Sequence, residues 1–228
     1  MANKYSLGID IGSTTVKTVI ADNDGNIVYS KYQRHFSKVK ETVKDQLKLI
    51  QADYPDEKFT VCITGSAGLG LANSANIPFV QEVHAAFLAV KQKQPDADAV
   101  IELGGEDAKI IFLTGGVEQR MNGSCAGGTG AFIDQMATLL GITADQLDEL
   151  SLHAQKTYPI ASRCGVFAKS DIQPLLNQGA RREDVAASIF QAVVDQTVSG
   201  LAHGRTIEGK VLFLGGPLFF LKGLKKAF

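Results

Sequence analysis

The spacing of apolar residues divides the first 95 residues into strands and helices. Residues 5–11 alternate with a period of two, so Leu7, Ile9 and Ile11 share one face of a strand. After Ser37, which we assign as a helix N-cap, apolar residues recur every three or four positions, as in an amphipathic helix. The pattern predicts strands over 5–11, 16–21, 27–34 and 59–64, a loop over 65–70, helices over 39–50 and 80–92, and a short fifth strand at 79–80.

The rest of the chain repeats this plan with different helices. A glycine-rich bend over 122–130 opens one helix, and Thr143 with Gln146 forms a capping box for a shorter one. The predicted strands cover 99–103, 109–113, 117–121 and 211–214, and a long helix covers 183–202. We therefore expect two similar domains, 1–95 and 96–228. Because no strand follows the last helix, we expect that the second is truncated at its C-terminus and that the chain is a fragment.

One motif occurs once in each predicted domain. The run Asp10-Ile11-Gly12-Ser13-Thr14-Thr15-Val16-Lys17 returns 92 positions later as Glu102-Leu103-Gly104-Gly105-Glu106-Asp107-Ala108-Lys109. Each copy follows an apolar run and carries a carboxylate two residues before a glycine, which predicts a hairpin with an acid at its edge. Glycine lets backbone amides approach an anion, the hydroxyls of the first copy add donors, and the acid can hold a hydrated cation. A polar turn between two strands is the alternative for either copy alone, but the duplication in matching register favours two hairpins that grip a metal-phosphate from both sides.

Composition narrows the function classes. The 228 residues carry a net charge of −1 and 45% apolar residues, which gives no basic surface for nucleic acid or for an acidic membrane. No apolar run approaches the roughly 20 residues that span a bilayer, and residues 1–5 lack a signal-peptide core. We infer a cytoplasmic protein without nucleic-acid or membrane partners.

The three cysteines need separate interpretations, because an odd number does not indicate a disulfide framework. Cys62 lies within a predicted strand and is interpreted as a small buried apolar residue. Cys125 lies where the glycine-rich bend opens a helix, whose amides and positive end can stabilise a thiolate, and Cys164 precedes Gly165 in a similar context. From the residues alone, buried thiols, a zinc site and a cluster all stay open for Cys125 and Cys164. His84 and His153 are interpreted as surface or packing residues.

A third glycine turn, Gly215-Gly216-Pro217, follows the last predicted strand. With it the sequence resembles the actin, sugar kinase and heat-shock chaperone superfamily of ATPases, whose two phosphate loops and adenosine loop occur in this order. It resembles more specifically the activators of 2-hydroxyacyl-CoA dehydratases and benzoyl-CoA reductases, through the segments 122–130 (NGSCAGGTG) and 163–171 (RCGVFAKSD). The resemblance covers essentially the whole chain. It implies an α/β fold of two ribonuclease H-like lobes with a nucleotide cleft between them.

The resemblance also implies roles for the motif residues. Asp10 would hold Mg²⁺ through water, while Glu102 stands where many relatives have aspartate. Glu106 and Asp107 are candidates to orient the attacking water. Cys125 and Cys164 would be the cluster ligands. The residues assigned to cofactor binding are Gly12, Ser13, Thr14, Thr15, Lys17, Gly104, Gly105, Gly127, Gly128, Gly215 and Gly216, with Pro217 departing from the small residue common after them.

The implied function is an ATPase coupled to electron transfer. Two cysteines from each subunit of a homodimer would hold one 4Fe-4S cluster, and an electron would pass to an acceptor dehydratase or reductase that is itself an iron-sulfur enzyme. A low-potential donor such as ferredoxin or flavodoxin would supply it. Two alternatives remain: a small-molecule kinase of the same superfamily, which would make no use of Cys125 and Cys164, and a nucleotide-dependent scaffold without redox chemistry.

Overall fold

The computed structural model describes residues 4–123 and 126–228. Contacts divide the chain into two compact units, Met1–Pro95 and Asp96–Phe228, called here the first and the second unit. Each has its own buried apolar core. Within the described residues, no helix combines the length and apolar character that crossing a membrane requires.

The first unit is a four-stranded sheet with three helices. Its strands are β1 (Tyr5–Ile11), β2 (Thr15–Asp22), β3 (Ile27–Arg34) and β4 (Phe59–Thr64), and its helices are α1 (Val39–Asp53), α2 (Leu69–Ala75) and α3 (Glu82–Lys93). The order is β3-β2-β1-β4, with β1 antiparallel to β2 and parallel to β4. Because side chains alternate along β1, Leu7, Ile9 and Ile11 enter the core together with Val43 and Ile50 of α1.

The second unit has the same sheet with more helices. Its strands are β5 (Ala99–Leu103), β6 (Ala108–Phe112), β7 (Glu118–Met121) and β8 (Val211–Leu214), in the order β7-β6-β5-β8. Its helices are α4 (Gly130–Leu139), α5 (Ala144–Ser151), α6 (Gly165–Asn177), α7 (Arg182–Asp195), α8 (Gly216–Phe220) and α9 (Lys222–Ala227), with a π-helical segment at Gln196–Leu201. The predicted capping box of α5 is confirmed, because Gln146 donates its amide to Thr143 Oγ1 and accepts the Thr143 amide.

The predicted internal repeat is confirmed by strand pairing. Both sheets have antiparallel first, second and third strands, and a fourth strand parallel to the first. Asp10 pairs with Lys17 across the first hairpin, and Glu102 pairs with Lys109 across the second. The offset of the sequence motif is thus also the offset of the structural register.

Local expectations fail where tertiary contacts set the backbone. Ser37 does not cap α1, which follows Lys38, because Phe36 and Ser37 both adopt positive φ and the Ser37 amide donates to the His35 ring. The expected loop at 65–70 contains the start of α2. The long helix over 183–202 is regular only to Asp195 and then widens into the π-helical segment. The short fifth strand is a single parallel bridge between Ile63 and Phe79.

Candidate functional site

The first hairpin turn, residues 12–15, joins β1 to β2 and is closed by one backbone bond. The Gly12 amide donates to the Thr15 carbonyl at 2.9 Å, while Ser13 and Thr14 lie at the tip and are partly exposed. Within the part of the chain that the structure describes, neither tip amide makes a hydrogen bond. Successive amides without an internal acceptor suit an anion such as a phosphate oxygen.

An acid and a lysine pair beside this turn. Lys17 Nζ lies 2.7 Å from Asp10 Oδ2, and both side chains are about one third exposed. The other oxygen, Asp10 Oδ1, is buried and has no hydrogen-bond partner among the described residues. A buried carboxylate oxygen without a donor is costly unless a cation or a water serves it. The Asp10 carboxylate therefore has one oxygen balanced by Lys17 and one that can serve a hydrated cation.

The second hairpin turn, residues 104–107, repeats this geometry. The Gly104 amide donates to the Asp107 carbonyl at 2.7 Å, and Lys109 Nζ lies 3.8 Å from Glu102 Oε1. Here the pair is less exposed, with 5% of the Lys109 side chain and 17% of the Glu102 side chain accessible. Glu106 is exposed at the tip and Asp107 is partly buried.

A glycine from the neighbouring parallel strand packs against each hairpin. Gly65 follows β4 with φ +96°, and Gly215 follows β8 with φ +94°. A side-chain carbon on Gly65 would collide with the Ile11 carbonyl and with Asp10 Oδ1, and one on Gly215 would collide with the Leu103 backbone. Only glycine fits both the conformation and the space. The sequence pattern predicts Gly215 as part of the site but misses Gly65. The signal for Gly65 is its position directly after an apolar strand.

The segments on either side of the two predicted cluster ligands are in contact. Cys125 lies outside the described residues, but Gly127, two positions later, is buried against the carbonyls of Ser162 and Arg163, directly before Cys164. Cys164 is partly buried and precedes the first turn of α6. Asp171 of the same helix accepts the Ala161 amide at 2.8 Å and so fixes the approach to Cys164.

The helix that follows Cys125 is bonded to the second hairpin turn. The first two amides of α4, those of Gly130 and Ala131, donate to the carbonyls of Gly104 and Gly105 at 2.9 and 2.7 Å. The positive end of this helix was expected to stabilise a thiolate, whereas these two donors are used by the turn. Gly128, predicted to bind a cofactor, packs against Gln196 in the π-helical segment. A continuous path of contacts therefore links 104–105 to α4, to Gly127 and to the residues before Cys164.

The remaining candidate residues lie apart from these turns. Cys62 is only partly buried in β4, where full burial was expected, and His84 and His153 are exposed. Across residues 4–123 and 126–228, no three His, Cys, Asp or Glu side chains are grouped closely enough to hold a metal ion. Two cysteines from each of two chains would not form such a group within one chain.

Two units with the same sheet order, each with an acid-glycine hairpin, define the class of protein. This is the fold of the actin-like ATPases and sugar kinases, and the predicted fold class is confirmed. A candidate N-acetylmannosamine kinase from Listeria monocytogenes shares it at a TM-score of 0.50 and 15% identity, over 97% of this chain and 88% of that one.

The family is narrower than the fold. The chain belongs to the BadF/BadG/BcrA/BcrD ATPase family, whose family model matches residues 7–228. It is 32% identical over 219 residues to the activator of lactoyl-CoA dehydratase from Anaerotignum propionicum, covering 93% of this chain and 83% of that protein. The resemblance to dehydratase activators is thereby confirmed.

Two solved structures of such activators are similar to the chain throughout. Component A of (R)-2-hydroxyglutaryl-CoA dehydratase from Acidaminococcus fermentans gives a TM-score of 0.86 at 28% identity, covering 98% of this chain and 86% of that one. The activator of 2-hydroxyisocaproyl-CoA dehydratase from Clostridium difficile, with bound ADPNP, gives 0.81 at 30% identity, covering 98% and 84%.

Proposed function

We propose that the chain is an ATP-dependent activator that couples ATP binding and hydrolysis to low-potential electron transfer. The electron would leave a 4Fe-4S cluster shared by a cytoplasmic homodimer and enter a 2-hydroxyacyl-CoA dehydratase or a related iron-sulfur enzyme, and a ferredoxin or flavodoxin would replace it. The observation that carries the proposal is the path of contacts from the second hairpin turn through α4 to the residues before Cys164.

The nucleotide half of the proposal rests on the hairpin turns. The amides of Ser13 and Thr14 would donate to phosphate oxygens, with Gly12, Thr15 and Lys17 around them. In the second unit the turn at Gly104 and Gly105 would close on the phosphates, and Gly215 with Gly216 would contact the nucleoside. Bound nucleotide in the Clostridium difficile activator supports this assignment, because that protein is similar over almost the whole chain.

The residues present fit a magnesium ion in the first unit. The buried oxygen of Asp10 lacks a donor, and a carboxylate that acts through water is a usual way for a protein to hold Mg²⁺. The ion would neutralise negative charge on the phosphates. Glu102 is the matching acid of the second unit, and Asp107 or Glu106 would orient the water that attacks the terminal phosphate.

The cysteine half rests on donor chemistry and on the packing of the two segments. Thiolates are the common ligands of iron-sulfur clusters, and two chains with Cys125 and Cys164 supply four. The contact of Gly127 with Ser162 and Arg163 keeps the two cysteine-bearing segments of one chain together. Such a cluster would supply an electron of low potential.

Coupling follows from bonds that the two halves share. A nucleotide that shifts the Gly104 or Gly105 peptide must also shift the first turn of α4, because its amides bond their carbonyls. The nucleotide can change electron transfer only if it binds the donating and resting states with different affinity. The α4 path is the element on which that difference would act.

The proposal is tested on protein purified without oxygen. We expect about four iron and four sulfide per dimer, a dimer mass in solution and ATP hydrolysis. Cys164→Ser should remove the iron and leave ATP binding in place, whereas Cys62→Ser, the matched control in β4, should retain both. A colourless monomer that hydrolyses ATP regardless of Cys164 would overturn the redox proposal in favour of a kinase, and bound nucleotide without iron or hydrolysis would favour a scaffold.

A further inference from the structure

His35 stands directly after β3 and contacts the first hairpin turn with both its backbone and its side chain. Its amide donates to the Thr14 carbonyl at 3.1 Å, and its Nε2 lies 3.2 Å from the Gly12 carbonyl. The residue is 6% exposed. The two carbonyls flank the Ser13 and Thr14 amides that the proposed function assigns to phosphate.

The protonation of the imidazole follows from its partners. The Ser37 amide donates to Nδ1 at 3.1 Å, and a backbone N–H can only donate, so Nδ1 carries no proton. The proton of the neutral ring is therefore on Nε2, which donates to the Gly12 carbonyl. Nδ1 is kept as the acceptor by a tight turn in which Phe36 and Ser37 have φ of 45° and 64°, and in which the Lys38 amide donates to the His35 carbonyl.

The second unit has Asn122 at a comparable point, two positions out of register: its amide bonds the Ala108 carbonyl, the counterpart of Val16, whereas the His35 amide bonds the Thr14 carbonyl. Asn122 directly follows β7, as His35 follows β3, and is 8% exposed. Its Nδ2 donates to the Glu106 carbonyl at 3.4 Å, and Glu106 occupies the position of Thr14 in its turn. Its Oδ1 accepts the Ala108 amide at 2.7 Å. Both are buried polar side chains after a third strand that bond a carbonyl of a hairpin turn, but at different positions: His35 bonds Gly12, whereas Asn122 bonds Glu106, the counterpart of Thr14.

We propose that His35 is a positioning residue for nucleotide binding: its Nε2–H holds the Gly12 carbonyl and so orients the Ser13 amide toward the phosphates. This role rests on the proposed function, since it presumes that the first hairpin turn binds ATP. Peptide groups are planar, so the orientation of the Gly12 carbonyl fixes that of the Ser13 amide. The side chain acts on the ligand only through the backbone and is not a catalytic residue.

Two substitutions separate the two hydrogen bonds of the ring. In His35→Gln the side-chain amide nitrogen can replace Nε2 as donor to Gly12, but the acceptor for Ser37 is lost. In His35→Asn the side-chain oxygen can replace Nδ1 as acceptor for Ser37, but the donor to Gly12 is lost. Each variant loses one neutral hydrogen bond, so both should lower the thermal midpoint by a similar amount.

Titration with ATP, together with steady-state hydrolysis, tests the proposal. We expect His35→Asn to weaken ATP binding about threefold to tenfold, the effect of one neutral hydrogen bond, with KM rising more than kcat falls. His35→Gln should bind ATP within about twofold of the wild type. Equal binding by wild type and His35→Asn would overturn the role, as would equal weakening in both variants. A wild-type protein that binds no ATP would overturn the proposed function and this role with it.

A measurement on the wild type avoids any dependence on the stability of the variants. The four histidines can be studied by nitrogen-15 spectra of labelled protein, in which the His35 signals are those that both His35 variants lack. These signals should show an imidazole protonated at Nε2. ATP should shift the Nε2 resonance of this ring. A His35 ring that is protonated at Nδ1, or that does not respond to bound ATP, would contradict the proposal.

Discussion

Three residues contact Asp10 or the turn that follows it, and each has a different origin in the sequence. Lys17 faces it because a two-strand hairpin pairs these positions, and the repeat at 102 and 109 made that pairing predictable. Gly65 comes from β4, more than fifty residues away, and nothing local to Asp10 indicates it. His35 escaped prediction for a similar reason: a lone histidine after a strand carries no periodic signal, and only the folded meander brings it to Gly12. Residues within the repeated motif could be predicted from the sequence, whereas contacts between residues far apart in the sequence could not.

Replacing Gly65 tests the packing around Asp10. Gly65→Ala places a methyl group against Asp10 Oδ1 and the Ile11 carbonyl, at a φ that alanine adopts only with strain. We expect stability to fall by about 1–3 kcal/mol and magnesium-dependent ATP binding to weaken, because the carboxylate must move. Urea denaturation and ATP titration with and without magnesium measure the two effects.

Gly70→Ala is the matched control for Gly65→Ala. Gly70 lies in α2 with nothing within 4 Å of an added Cβ, so alanine there should be neutral or slightly stabilising. Unchanged magnesium dependence in Gly65→Ala would contradict the assignment of Asp10.

Asp184 gives the second unit a pH-dependent contact. Its side chain is almost fully buried, and its Oδ1 accepts the amides of Gln155 at 2.8 Å and Lys156 at 3.3 Å. The Gln155 bond first, and then the Lys156 bond and the charge of Arg181, hold the pKa of Asp184 below its usual 3.8. The stabilisation is therefore present above about pH 4 and is lost as the pH falls through the lowered pKa.

Asp184→Asn should remove this dependence. We expect its deficit in unfolding free energy relative to wild type to shrink as the pH falls from about 5 to about 3, as followed by urea denaturation. Asp45→Asn, which changes an exposed carboxylate of α1, is the control for the removal of a surface carboxylate. A constant deficit for Asp184→Asn would show that the carboxylate charge is not what stabilises the fold.

At the scale of elements, the accuracy of prediction follows the kind of interaction that sets each boundary. β3, β4, β5 and β8 begin and end where their apolar patterns predict, because strand ends coincide with a change of polarity. α1 begins at Val39 as predicted but runs on to Asp53, and Ser37 fails as its cap because its amide bonds the His35 ring in a left-handed turn. The last predicted turn of α7 is π-helical. The short α2 was missed because seven residues give too little periodicity to separate it from a loop. Elements defined by their own pattern are predictable, and ends defined by a neighbour are not.

α4 is the element on which the proposed coupling would act, and Gly127 lies shortly before its start. Gly127→Ala would force a methyl group into the Ser162 and Arg163 carbonyls and separate the two cysteine segments. We expect oxygen-free Gly127→Ala protein to lose most of its iron while the hairpin turns still bind ATP. Iron analysis and ATP titration on the same preparation measure both.

Gly123→Ala is the control on the other side of Cys125. Gly123 is exposed, and no described residue lies within 4 Å of an added Cβ, so this variant should keep its iron. Equal iron in the two variants would mean that the contact of Gly127 with 162–163 does not hold the cluster ligands.

At the scale of the whole molecule, the duplication accounts for the hairpin features that both units share, and the second unit alone carries the cysteine segments. Each unit has an acid, a lysine, a hairpin turn and a glycine that packs against the hairpin. The sequence repeat predicted the first three. The segments with Cys125 and Cys164 belong to the second unit, where the described residues place α4 to α7 between β7 and β8 against α1 alone between β3 and β4. The hairpins proposed to bind nucleotide are thus duplicated, whereas the cysteine segments are not. The proposed redox chemistry belongs to these segments.

Nucleotide binding should therefore be detectable far from the hairpin turns. We expect hydrogen exchange to slow on addition of ADPNP at 12–15 and 104–107, and also at 126–131 and 161–164, because the α4 bonds link the latter pair of segments to 104–105. The exposed last turn of α3 serves as an internal reference. Protection confined to the hairpin turns would contradict coupling through α4.

The two bonds from the start of α4 to Gly104 and Gly105 also restrict how this family can vary in length. An extra residue just inside the helix start would rotate every later side chain of α4 by about 100° about the helix axis. Phe132 and Ile133, each 1% exposed, would then turn away from the core. Insertions and deletions among homologues should accordingly avoid 127–133 and occur at exposed bends such as 114–116. The number of residues between Cys125 and this core should therefore be constant and can help to recognise distant members of the family.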